Sequence, residues 1–153
     1  MIDTVVFLDA NVYFSGTLNP YGGSGYILAL ARSGQYFRSA ASSYVIGETL
    51  VNLEKKATAQ EVRSFMVYLQ GVEMTFYNPI AGSAELKALL NSKDARVLQA
   101  AIDAGTQYFV TLDRKHFFTQ EVREYSKNRG LNIVTPREFI ENFVKQLKKD
   151  RPE

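Results

Sequence analysis

At 153 residues the chain is of single-domain size and long enough to bury a full core. Hydrophobic residues make up 46% and charged residues 22%, an ordinary globular balance, and the absence of cysteine excludes disulfide frameworks, zinc–thiolate sites and thiol chemistry. A net charge of +2 carries no basic excess to announce nucleic acid, and no apolar run approaches the roughly 20 residues of a membrane span.

The opening "MIDTVVFLDA" lacks a basic n-region and its apolar run breaks at Asp9, so it does not read as a signal peptide, and a cytoplasmic location is expected. Val5–Leu8 is the first predicted strand. "SGYILALARSG" reads as a helix entered at Ser24 and stopped by Gly34, followed by a strand over Tyr36–Ala40. "SSYVIGETLVNL" is helical, and Thr58 with Glu61 forms a capping-box pattern ahead of "VRSFMVYL". Met74–Tyr77 is a third strand, and "DARVLQAAIDAG" a helix ending on Gly105. Tyr108–Leu112 is a fourth strand, "QEVREYSKNRG" a helix ending on Gly130, and Asn132–Thr135 a fifth strand. "TPREFIENFVKQL" carries a Thr cap, then Pro136 and Glu138 in the first turn. The basic cluster "KQLKKDR" reads as a solvated helix end.

Strands alternating with helices predict a parallel sheet covered on both faces, a three-layer α/β/α domain. In such sheets the working crevice lies beyond the carboxyl ends of the strands. Asp9 and Asp113 each stop an apolar strand, so on neighbouring strands both carboxylates emerge at one edge. An Asp between a strand and a helix also reads as an N-cap, stabilising by ~1 kcal/mol.

Two further acids join them. Asp94, Val97, Leu98 and Ala101 fall at i, i+3, i+4 and i+7, so Asp94 continues a buried stripe; its alternative is a helix-dipole contact. Glu48 lies mid-helix with apolar residues on both sides, and a buried lone carboxylate must be paired or bind a metal. A lysine or arginine from elsewhere is the competing partner. Four acids at one edge repel one another unless a doubly positive ion sits among them. Oxygen ligands favour Mg²⁺ or Mn²⁺ over zinc, and such an ion suits phosphodiester hydrolysis.

In order along the chain, "FLDANV" with Asp9 and Asn11, "YVIGETL" with Glu48, "DARVLQAAIDAG" with Asp94 and "YFVTLD" with Thr111 and Asp113 resemble the PIN-domain nucleases. The resemblance runs from about the first strand to the last. It implies a five-stranded parallel sheet of order 3-2-1-4-5 over residues 1–144, leaving 145–153 as a basic C-terminal tail. It also implies a Mg²⁺- or Mn²⁺-dependent endoribonuclease. Many such proteins are toxins of type II toxin–antitoxin pairs, often homodimeric and inhibited by an antitoxin, so RNA, an antitoxin protein and a second copy are the implied partners. By the resemblance Asp9, Asp94 and Asp113 hold the metal, and Glu48 is a ligand through water or a general base. Asn11 and Thr111 are hydrogen-bonding groups that orient the carboxylates; locally satisfied polar residues are the alternative for both. Where many family members carry a further acid after the last aspartate, this chain has "DRKHF".

His116, the only histidine, reads as a surface helix-start residue, and no His-rich metal site is available. Arg114, Lys115 and His116 are candidate RNA contacts; solvated loop charges are their alternative. "PYGGSGY" is glycine-rich but no Gly-Lys-Ser/Thr follows, so it reads as a flexible loop capped by Ser24 and not as a P-loop. Two other functions compete with the ribonuclease. A haloacid dehalogenase-type phosphotransferase needs a second Asp two residues after the first, where this chain has Asn11. A catalytically idle nucleic-acid- or protein-binding module would leave four acids with nothing to neutralise them.

Overall fold

The computed structural model describes residues 3–150, so Arg151–Glu153 of the expected tail and the first two residues of the opening segment lie outside it. In chain order the elements are β1 (Val5–Leu8), α1 (Ala10–Leu18), α2 (Gly23–Ser33), β2 (Arg38–Ala41), α3 (Ser43–Lys56), α4 (Ala59–Gly71), β3 (Met74–Phe76), α5 (Ala84–Leu89), α6 (Ser92–Asp103), β4 (Tyr108–Val110), α7 (Arg114–Phe117), α8 (Gln120–Lys127), β5 (Asn132–Val134) and α9 (Pro136–Phe139). From α9 the chain runs through a π-helical turn, Ile140–Val144, into α10 (Lys145–Lys149).

The five strands form one all-parallel sheet of order β3-β2-β1-β4-β5, the order the motif pattern implied. The central strand explains why its run is continuously apolar: Val6, Phe7 and Leu8 are buried, with β2 on one side and β4 on the other. Phe7 pairs with Phe109 across β1 and β4, their rings 5.8 Å apart.

Right-handed crossovers put α1–α4 on one face as the chain steps outward through β2 to β3. The return from β3 to β4 reverses direction and puts α5, α6 and α8 on the other. The packing agrees: α1 lies against α2, α3 and α4, while α5 lies against α6 and α8. The reversal falls between β1 and β4, so the topological switch lies just beyond Leu8 and Val110.

Helix ends follow local chemistry. Thr58 with Glu61 and Thr135 with Glu138 form complete capping boxes, and Pro136 occupies the first turn. Gly105 and Gly130 turn the chain at φ 67° and 80°, a left-handed conformation that costs glycine nothing.

The structure differs from the sequence reading in several places: the second strand is Arg38–Ala41 and not Tyr36–Ala40, the third and fifth strands end one residue early, and α1 and α7 were not foreseen. The fourth strand ends at Val110, because after Thr111 N–H bonds Val134 O the chain turns toward α7. α2 starts at Gly23 with Gly22 as a cap that makes no side-chain bond, so Ser24 is a buried helical residue and not the cap. The segment after β3 contains α5, unforeseen because six residues are too few to show a helical period; Ser83 caps it through Leu86 N–H.

Candidate active site

Asp9 is the first residue beyond β1. Its backbone N–H still bonds Val110 O on β4, which holds the residue at the carboxyl edge of the sheet. The carboxylate is buried and satisfied by three donors: Ala10 N–H to Oδ1 at 2.8 Å, and Asn11 Nδ2 at 3.2 Å and Thr111 Oγ1 at 2.8 Å, both to Oδ2. Burial pushes its pKa up to about 6, against the opposing pull of the Thr111 and Ala10 hydrogen bonds; the charges of Glu48 and Asp94 add to the rise.

Asn11 and Thr111 tie the two strand ends together. Asn11 Nδ2 also reaches Thr111 Oγ1 at 3.2 Å, and Asn11 Oδ1 accepts from Leu112 N–H at 3.0 Å. Thr111 Oγ1 in turn accepts from Asp113 N–H at 3.1 Å.

Asp113 caps α7, its Oδ1 accepting from His116 N–H at 3.1 Å. Asp94 lies in the first turn of α6, which is capped by Asn91: Asn91 Oδ1 accepts from Asp94 N–H and Asn91 Nδ2 donates to Asp94 Oδ2, both at 2.8 Å. Burial raises the Asp94 pKa, and the neighbouring Asp113 charge adds to it, while Asn91, His116 and Lys93 oppose the rise.

Glu48 faces the same space from α3. Asn52 and Lys56 follow it at i+4 and i+8, one stripe of that helix, and both line the pocket with Glu48. The competing partner expected for Glu48 is Lys93 at the start of α6, whose Nζ lies 2.9 Å from Glu48 Oε1. The hydrogen bond to Glu48 raises the Lys93 pKa.

The four acids therefore open onto one pocket of about 190 Å³, walled by Phe14 and Val97 and carrying Lys56 and Lys93 on its α3 and α6 sides. Ligand atoms of Asp94, Asp113 and His116 lie within 4.8 Å of one another. Asp9 and Glu48 line the pocket outside that closest group. Two carboxylates and an imidazole at this spacing could hold a divalent cation, and burial, with smaller contributions from neighbouring acid charges, raises the Asp9 and Asp94 pKa values.

The expected RNA contacts separate. His116 turns into the acid group. Arg114 lies over Phe118 and lines a different cleft, with Leu112 and Thr135, and Lys115 is exposed. Sequence reasoning missed Asn52, Lys56, Asn91 and Lys93. The i, i+4, i+8 spacing from Glu48 was the available signal for the first two; adjacency to Asp94 was the only one for Lys93.

The sequence matches no family model, and no curated protein matches it. Its fold has a solved counterpart. In the crystal structure of VapBC2 from Rickettsia felis bound to a DNA fragment from their promoter, one chain aligns with a TM-score of 0.56 over 86% of this chain and 98% of that one. The chain has a PIN-like fold. At 16% identity the likeness is one of fold. Within that PIN-like frame the acid pocket sits at the switch point between β1 and β4. Among the described residues no helix is long and apolar enough to cross a membrane.

Proposed function

We propose that this chain is a divalent-metal-dependent endoribonuclease working at the acid pocket. The observation that carries the reading is the convergence of Asp9, Glu48, Asp94 and Asp113 from four separate segments onto one small pocket. An enzyme that only needed caps would have no reason to aim these carboxylates at each other, since their mutual repulsion costs stability.

Asp94, Asp113 and Asp9 would hold a Mg²⁺ or Mn²⁺ ion. When bound, that ion supplies positive charge for the phosphodiester's oxygens and makes a water more acidic. The chain's own groups do the remaining work. Thr111 and Asn11 hold the Asp9 carboxylate in one orientation through the bonds described above. Glu48 takes the proton of the attacking water, and Lys93 fixes its rotamer from the neighbouring helix. Lys56 and Asn52 offer donors to a substrate phosphate along the same stripe of α3.

The solved VapBC2 assembly with promoter DNA supports a toxin–antitoxin setting for this chain, with an antitoxin protein as partner; RNA as substrate rests on the motif resemblance and on the acid pocket. The haloacid dehalogenase alternative gains no support, because Asn11 offers no acid and is committed to Asp9, Thr111 and Leu112.

The test is cleavage of single-stranded RNA by purified protein in Mg²⁺ or Mn²⁺, with EDTA, and with Asp94→Asn. Cleavage that stops in EDTA and is lost in Asp94→Asn is the expected result. Equal cleavage by the variant would place the activity elsewhere or in a contaminant.

A further inference from the structure

The only histidine of the chain points into the acid group. α7 begins at the Asp113 cap, and one helical turn later His116 is carried back over the capping carboxylate. Its Nδ1 lies 2.8 Å from Asp113 Oδ2 and 3.9 Å from Asp94 Oδ2, so a single imidazole nitrogen faces both carboxylates. An imidazole serving only as a hydrogen-bond partner of Asp113 would have no need to lie between Asp113 and an acid from another helix.

The spacing fits a shared ion. Ligand atoms about 2.1 Å from an octahedral cation stand about 3 Å apart when adjacent and about 4.2 Å apart when opposite. The two separations, 2.8 and 3.9 Å, fall close to that range, and ligation then requires Nδ1 to give up the proton that it shares with Asp113 Oδ2. His116 is half exposed, so its ring can adjust without disturbing the core.

We propose that His116 Nδ1 is a direct ligand of the divalent ion held by Asp94 and Asp113, and that it biases the site toward Mn²⁺ over Mg²⁺. The inference rests on the metal-dependent reading above. Its chemical basis is donor type: magnesium is bound by oxygen and holds its waters, whereas a transition ion accepts an imidazole nitrogen readily. Where a further carboxylate would add charge and leave magnesium favoured, the histidine adds a neutral nitrogen donor.

Pulsed electron paramagnetic resonance on the untagged full chain loaded with Mn²⁺ tests this directly. Because the chain holds one histidine, labelling histidine with the heavy nitrogen isotope marks a single side chain. The expected result is a nitrogen hyperfine coupling on the bound Mn²⁺ that changes isotope signature on labelling and disappears in His116→Ala. In that variant the Mn²⁺ dissociation constant should rise on the order of tenfold, with a much smaller change for Mg²⁺. Bound Mn²⁺ with no histidine nitrogen coupling would overturn the ligand assignment and leave the metal site standing. A parent protein that binds no Mn²⁺ would overturn both, so the two failures are distinct.

Discussion

Thr111 Oγ1 donates to Asp9 Oδ2 at 2.8 Å, joining residues 102 positions apart at the carboxyl ends of two adjacent strands. A hydroxyl has one proton to give and two lone pairs to share. Thr111 uses all of that capacity, since it also accepts from Asn11 Nδ2 and from Asp113 N–H. One fully buried side chain therefore fixes the positions of two candidate ligands relative to each other.

Thr111→Val keeps the shape and removes that hydroxyl. It leaves the buried Asp9 carboxylate short of a donor and the Asp113 N–H short of an acceptor, a loss of roughly 1–3 kcal/mol. Denaturant unfolding at pH 8 should show it, with Thr111→Ser close to the parent. The loss should shrink near pH 4, where Asp9 is protonated in the folded protein. A valine variant that unfolds at the parent's midpoint would mean the network has no energetic weight.

Asp9 also sets a pH dependence. Its folded pKa is raised to about 6 from an ordinary 3.8, mainly by burial. Between those values the folded protein keeps a proton the unfolded chain has lost, so stability from this group is full below about 4 and falls as pH rises through about 6. Asp9→Asn cannot titrate. In EDTA the variant should therefore gain on the parent as pH goes from 4 to 7, measured by thermal melts at fixed ionic strength. The raised Asp94 pKa works in the same direction but is present in both proteins. A parent–variant difference independent of pH would contradict the burial-driven rise.

The strand–helix alternation and the strand-end position of the acids were legible because both are written in local patterns, while the strand order came only with the family resemblance. An apolar run ended by Asp9, a buried stripe beginning at Asp94 and the caps at Thr58 and Thr135 each need only neighbours in sequence. What was missed depends on distant neighbours. Lys93 meets Glu48 only because α3 and α6 flank one pocket, and His116 meets Asp94 only because α7, leaving β4, comes back to the first turn of α6. Ser24 misled as a cap because a serine before a helical run is a common start signal, whereas here Gly22 and Gly23 begin the turn.

Gly82 lies against α6 just after Asp94. A Cβ there would stand 2.7 Å from Ala95 Cβ and 2.8 Å from Ala95 O, too close to a helix backbone to be absorbed by a rotamer change. Gly82→Ala should destabilise by about 1–3 kcal/mol, a typical cost of overpacking. Because the strain falls on the turn that carries Asp94, the proposed ribonuclease activity should drop by more than the folded fraction does. A variant with parent stability and activity would show that α6 can shift freely.

Metal binding and simple capping make opposite predictions for Asp94 and Asp113. Asp113 caps α7, and Asp94 accepts from Asn91, and asparagine could largely take over either contact. If capping were their whole role, Asp94→Asn and Asp113→Asn would melt near the parent, and Mg²⁺ or Mn²⁺ would change little. If they hold an ion, each variant should melt higher than the parent in EDTA, because a repelling charge has gone. Adding the ion at about ten times its dissociation constant should then stabilise the parent by roughly 1.4 kcal/mol and the variants by less. Melts of parent and variants in EDTA, Mg²⁺ and Mn²⁺ at constant ionic strength separate the cases. A parent whose melting point ignores both ions up to ~10 mM would reject a preformed metal site, since even roughly millimolar binding registers at that concentration.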